Sequence, residues 1–177
     1  MKAIPTVFNG VQYRSRLEAK WASFFTLAGW RFEYEPEDAS GWIPDFVLIG
    51  VKGNKIYVEV KPAYTYDELL DKGDKAVRLA DNMDGEILLL GASLIPSVEG
   101  WESISLGVLY DGHDWADAAP SVNDDGTLDF FHPIMSFHHR ISGVYEGDGH
   151  LRTTEGVESA KIRWTEATNN VQWKSPR

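Results

Sequence analysis

A chain of 177 residues is long enough to bury one compact core with room for an appended subdomain, and at 43% hydrophobic and 12% aromatic it has the side chains to fill it. It contains no cysteine, which excludes disulfides, thiolate metal sites and cysteine nucleophiles and leaves oxygen and nitrogen to supply any chemistry. The net charge of −10 speaks against a phosphate partner, but it is unevenly spread: residues 1–35 and 151–177 each carry +2, and residues 36–150 carry −14. There is no apolar run of about 18 residues, and MKAIPTVFNG lacks the apolar core of a signal peptide, so a cytoplasmic protein without a membrane partner is expected.

In chain order, Asn9-Gly10 between the β-prone stretches Val7-Phe8 and Val11-Gln12-Tyr13 predicts a small hairpin with a tight primed turn. Ser15-Arg16-Leu17-Glu18 has capping-box spacing, and Leu17, Trp21, Phe24, Phe25 and Ala28 then recur at helical intervals until Gly29. Trp30 to Tyr34 alternates as a half-buried strand does and stops before Pro36. Trp42 to Ile49 and Lys55 to Lys61 are strand-like, and the turn at Lys52-Gly53-Asn54 makes them a hairpin.

Tyr66 to Met83 is helical in spacing, with Gly73 as a weak point, and Glu86 to Gly91 reads as a short buried strand. A helical connection between strands predicts a crossover, hence an α/β fold with a mixed sheet and helices on its faces. Ile104 to Tyr110 continues as strand. Asp111 to Asp129 holds six Asp and no Lys or Arg, and reads as a loop or acidic insertion. Leu128 to Phe137 returns to strand, and Val157 to Trp173 forms a C-terminal helix with Val157, Ala160, Trp164, Ala167 and Val171 on one face.

The chemistry concentrates in the central hairpin. Pro44-Asp45 opens one strand and Glu59-Val60-Lys61 closes the other, and alternation turns Tyr57, Glu59 and Lys61 to one face and Ile56, Val58 and Val60 to the other. With the turn near Lys52-Gly53, Asp45 comes within about a residue of Glu59. Two carboxylates at that distance repel unless a cation or a proton lies between them. Two carboxylates and the main-chain carbonyl of Val60 are the ligand types Mg²⁺ prefers, with Mn²⁺ as a substitute, and a lysine alongside can orient a water for phosphodiester hydrolysis. The plain alternative is an exposed Glu59–Lys61 ion pair of little consequence. His132, His138 and His139 match no zinc spacing, and Asn123-Asp124-Asp125-Gly126 lacks the first acid and the closing glutamate of a calcium loop.

The order helix, strand, hairpin, helix, strand around Pro44-Asp45 and Glu59-Val60-Lys61 resembles the PD-(D/E)XK nuclease superfamily. Arg14-Ser15-Arg16-Leu17-Glu18 followed by Tyr34-Glu35-Pro36 is similar to the branch that holds transposon end-cleaving and phage endonucleases. The resemblance covers residues 10–92. It implies a restriction-endonuclease-like core over 1–110, with 111–177 as an acidic insertion, a strand and a C-terminal helix packing on it. It also implies a Mg²⁺-dependent DNA endonuclease in which Asp45 and Glu59 bind metal and Lys61 positions the water. Glu18 would complete the acidic cluster, although Ser15 gives it a competing role as a capping-box residue. Arg14, Arg16 and Lys20 are the candidate DNA-phosphate contacts. DNA is the expected partner, within a homodimer or a larger phage or mobile-element complex. The alternative is a non-catalytic binding module that engages a protein or mimics DNA through the acidic middle.

Overall fold

The computed structural model describes residues 3–38, 41–145 and 151–172. Its centre is a six-stranded mixed sheet in the order β3-β4-β5-β6-β7-β8. These strands are Arg31–Tyr34, Phe46–Ile49, Lys55–Val60, Glu86–Pro96, Ile104–Tyr110 and Trp115–Asp117. Every neighbouring pair is antiparallel except β5 and β6, which run parallel across the expected helical crossover.

One sheet face turns Phe46, Leu48, Ile56, Val58, Val60, Leu88 and Leu90 into the larger core. Helix α1 (Arg16–Ala28) covers it with Trp21, Phe24 and Phe25, and helix α4 (Thr153–Asn170) adds Ala160 and Ala167. The Trp21 indole N–H donates to the Gly91 carbonyl at 2.8 Å, which ties α1 to β6. On the other face Val47, Tyr57, Ile87, Leu89 and Val108 pack against Leu69 of α2 (Tyr66–Lys72) and Ala76 of α3 (Asp74–Leu79), followed by a 3₁₀ turn at Ala80–Asn82. The sheet is thus covered on both faces, as its apolar strands require.

Local signals account for the ends of several elements. β1 (Thr6–Phe8) and β2 (Val11–Tyr13) pair around Asn9 and Gly10, both at positive φ as a primed turn demands. Ser15 Oγ accepts the Glu18 N–H at 3.1 Å at the start of α1, and Gly29 closes that helix in the left-handed conformation. Gly73 divides the expected Tyr66–Met83 helix into α2 and α3.

Three expectations need correction. The strand expected from Trp42 begins only at Phe46, and Trp42–Asp45 lead into it, with Pro44 unable to donate to a ladder. The strand expected to end at Gly91 runs on to Pro96, because its pairing with β7 resumes at Ile95 after an irregularity. The stretch from Asp111 to Asp129, expected as a loop or insertion on the strength of its charge, contains β8, β9 (Ala119–Val122) and the start of β10 (Leu128–Phe131), with β9 and β10 paired antiparallel. Two of its acids are buried and serve the main chain. Asp117 accepts from Val98 N, Glu99 N and Ser97 Oγ, and Asp129 accepts from Phe130 N, Ile141 N and Ser142 N. A buried carboxylate with that many donors satisfies the rule that buried charge must be paired.

The C-terminal helix spans Thr153–Asn170 rather than starting at Val157, and Trp164 packs on Trp21 at a tilt of 42° with ring centroids 4.5 Å apart. The expected end of this helix at Trp173 lies outside the described residues. α4 meets β9 at Gly156, where a Cβ would fall 2.4 Å from Ser121 N. Gly156→Ala is therefore expected to force the helix away from the strand and lower stability by about 2 kcal/mol, read as a fall in the urea midpoint. An unchanged midpoint would mean that this contact yields freely. No helix among the described residues is long and apolar enough to cross a membrane.

Candidate active site

Asp45 and Glu59 come together because of strand register. Phe46 pairs with Val58, so the next step of the ladder sets Asp45 against Glu59. The Asp45 carboxylate is fastened there, since its Oδ2 accepts the Val60 N–H at 2.7 Å. Its own carbonyl receives the Glu35 N–H at 2.8 Å, and Glu35 adopts a left-handed φ of 46°, which is strained for a glutamate. Burial pushes the Asp45 carboxyl up to about 7, with Glu59 and Glu18 adding to the rise and the Val60 hydrogen bond and Lys61 opposing it.

Glu59 is held by two partners. Oε1 lies 2.9 Å from Lys61 Nζ, and Oε2 accepts the Trp42 indole N–H at 3.1 Å. The side chains are 14% and 33% exposed, so the pair is more enclosed than the surface ion pair considered as the plain alternative. The Lys61 main chain is fixed as well, its N–H donating to Leu90 O at 2.9 Å where β5 runs along β6.

Glu18 stands just outside this group. Its carboxylate accepts from Ser15 Oγ at 3.1 Å and from Tyr34 OH at 2.5 Å, while its N–H is capped by Ser15. The capping role therefore coexists with a charge near enough to Asp45 to help raise its carboxyl. Tyr34 OH in turn accepts the Arg14 N–H, and burial together with the Glu18 bond raises its pKa.

Asp45, Glu59 and Lys61 open into a cleft of about 520 Å³. Arg14 lines it too, with its Nε 2.6 Å from Glu35 Oε1, whereas Arg16 and Lys20 lie elsewhere on α1. Sequence reasoning passed over Trp42, Lys72 and Lys75, which also line it. An indole N–H close to a strand acid was the available signal for Trp42, and a lysine on each side of the Gly73 break was the one for Lys72 and Lys75. A larger hollow of about 670 Å³ adjoins at Asp38, but its charged lining is Glu33, Glu37, Asp38, Asp84 and Lys55, without the facing acids and lysine of the cleft.

Among the described residues no three His, Asp or Glu side chains are already gathered as a metal site. Asp45 and Glu59 with the Val60 carbonyl would be the donors, and they fit a hard divalent ion. All are oxygen, and a cation would offset both the burial that chiefly lifts Asp45 and the charge of Glu59 that adds to it. The histidines serve the fold instead: His132 Nε2 lies 3.0 Å from Asp114 O, and His139 Nδ1 lies 2.6 Å from Asn123 Oδ1. In comparison with known proteins, no family model and no curated protein matches the chain.

Proposed function

We propose that the protein is a metal-dependent endonuclease of the PD-(D/E)XK type, with a restriction-endonuclease-like core, that hydrolyses DNA phosphodiester bonds. The observation that carries this reading is the meeting of Asp45 and Glu59 across the β4–β5 ladder, with Lys61 Nζ 2.9 Å from Glu59, at the mouth of an open cleft. The parallel β5–β6 pair behind the Glu59-Val60-Lys61 segment and the helix carrying Glu18 support it further.

Asp45, Glu59 and the Val60 carbonyl would hold Mg²⁺ or Mn²⁺. A bound ion of this kind supplies an acidified water and neutralises charge on the phosphoryl oxygens. Lys61 spends one of its three N–H donors on Glu59, which leaves two to orient the attacking water and to offset charge as the phosphorus–oxygen ester bond breaks. Trp42 holds the second Glu59 oxygen and keeps that carboxylate from turning away. Glu18, fixed by Tyr34 and Ser15, adds negative potential at Asp45 and so favours the metal-bound state.

Incubation of the purified chain with Mg²⁺ or Mn²⁺ and supercoiled, branched or single-stranded DNA tests the proposal. Nicked or shortened products that vanish with EDTA are expected. Intact DNA in every case would refute the reading.

A further inference from the structure

Four cations of this acidic chain, Arg14, Lys61, Lys72 and Lys75, line the cleft that also contains Asp45 and Glu59. They come from different layers of the fold. Arg14 precedes α1, which covers one sheet face, and Lys72 and Lys75 flank the α2–α3 break on the other. The acids lie between, where β4 begins and β5 ends.

Lys72 and Lys75 are both exposed, and Lys72 is anchored. Lys72 Nζ donates to the Pro62 carbonyl at 2.7 Å, so its ammonium is held next to the segment that carries Lys61, with two donors still free for a ligand. Asp74, which precedes Lys75 at the start of α3 and also lines the cleft, pairs with Arg78 at 3.3 Å along that helix. The lysines thus keep their charge for whatever enters the cleft. The cleft lining carries as many acids, Asp38, Asp45, Glu59 and Asp74, as cations. Asp74 is paired with Arg78, however, and Asp45 and Glu59 are the donors for the proposed ion, so with metal bound the balance there turns in favour of a polyanion.

We propose that Lys72 and Lys75 bind backbone phosphates of the scissile strand, across the acids from Arg14, so that the strand is held between the two helical layers over Asp45 and Glu59. This rests on the nuclease reading and adds the residues that position the substrate. They are positioning residues, because they contact phosphates other than the one that reacts.

The test compares the wild type with the Lys72→Gln/Lys75→Gln double variant and with Lys161→Gln, an exposed change on α4. Binding of fluorescein-labelled duplex, branched and single-stranded DNA is measured in EDTA across a salt series, and cleavage of each and of supercoiled DNA is then measured with Mg²⁺ or Mn²⁺. Loss of two phosphate contacts should reduce the slope of log K against log salt by about 1.8. It should also raise KM about tenfold with kcat within about threefold, because positioning contacts distant from the reacting atoms act mainly on binding. Lys161→Gln should leave both unchanged. If the wild type cleaves and the double variant keeps its slope and KM, the two-walled cleft is wrong and the nuclease reading stands. If the wild type binds with the expected change in slope but never cleaves, the phosphate wall stands and the nuclease reading falls. If the wild type neither binds nor cleaves, both fall.

Discussion

Lys61→Ala and Asp45→Ala, each made separately, should cripple Mg²⁺-dependent cleavage, with single-turnover rates falling about 10²- to 10³-fold or more. The magnitude follows from what each removes. Lys61 provides charge aimed at the developing transition state, and deleting one preorganised donor of that kind costs about 10²- to 10³-fold. Asp45 is one of only two carboxylates available to the ion, so its loss takes away half of the acidic donors and leaves the Val60 N–H without its partner. Glu59→Gln should behave like Asp45→Ala. Trp42→Phe, which deletes the indole N–H on Glu59, should cost at least about tenfold, in line with a hydrogen bond of about 1.5 kcal/mol or more to a charged acceptor. Circular dichroism must show that each variant keeps its fold. Cleavage that persists in both Lys61→Ala and Asp45→Ala would belong to a contaminant, and the assignment of this site would be lost.

What the sequence disclosed and what it concealed divide along a physical line. The Asn9-Gly10 hairpin, the α1 helix from Ser15 to Gly29 and the pairing of Asp45 with Glu59 rest on local chemistry or on alternation, and these are visible in a short window. The acidic stretch misled because composition was weighed without tertiary context. Asp117 and Asp129 look like solvated charges until the main-chain N–H groups of Val98, Glu99, Ile141 and Ser142 converge on them. The β9 strand carries Pro120, which reads as a breaker, yet it is paired with β10 alone, where one missing N–H is tolerated. In the cleft, Glu59 and Lys61 were legible because period-two alternation sets them on one face. Trp42, Lys72 and Lys75 were not, because they reach the same cleft from a loop and a helix break whose positions depend on the whole fold.

Asp45→Asn should make the metal-free protein more stable at pH 8 while removing its activity. The folded protein holds the Asp45 carboxyl at about 7, well above the ordinary 3.8 that applies to the unfolded chain. Between about pH 4 and 7 the folded state therefore keeps a proton that the unfolded state releases. Stability from this group is fully present below about pH 4 and is lost as pH rises through 7, the reverse of the usual salt-bridged aspartate. At about 1.4 kcal/mol per pH unit, the ionised Asp45 costs up to about 4 kcal/mol at pH 8. Asparagine carries no charge there and its Oδ1 can still accept the Val60 N–H. For a chain of this size that corresponds to a rise in Tm on the order of 10 °C at pH 8 and close to none at pH 4. Added Mg²⁺ should raise Tm in the wild type and not in Asp45→Asn, since an ion on the Asp45 carboxylate offsets the cost of burying its charge. A variant no more stable than the wild type at pH 8, in scanning calorimetry with EDTA present, would mean that Asp45 ionises without strain. The electrostatic cost that a bound cation would offset at this pair would then be absent.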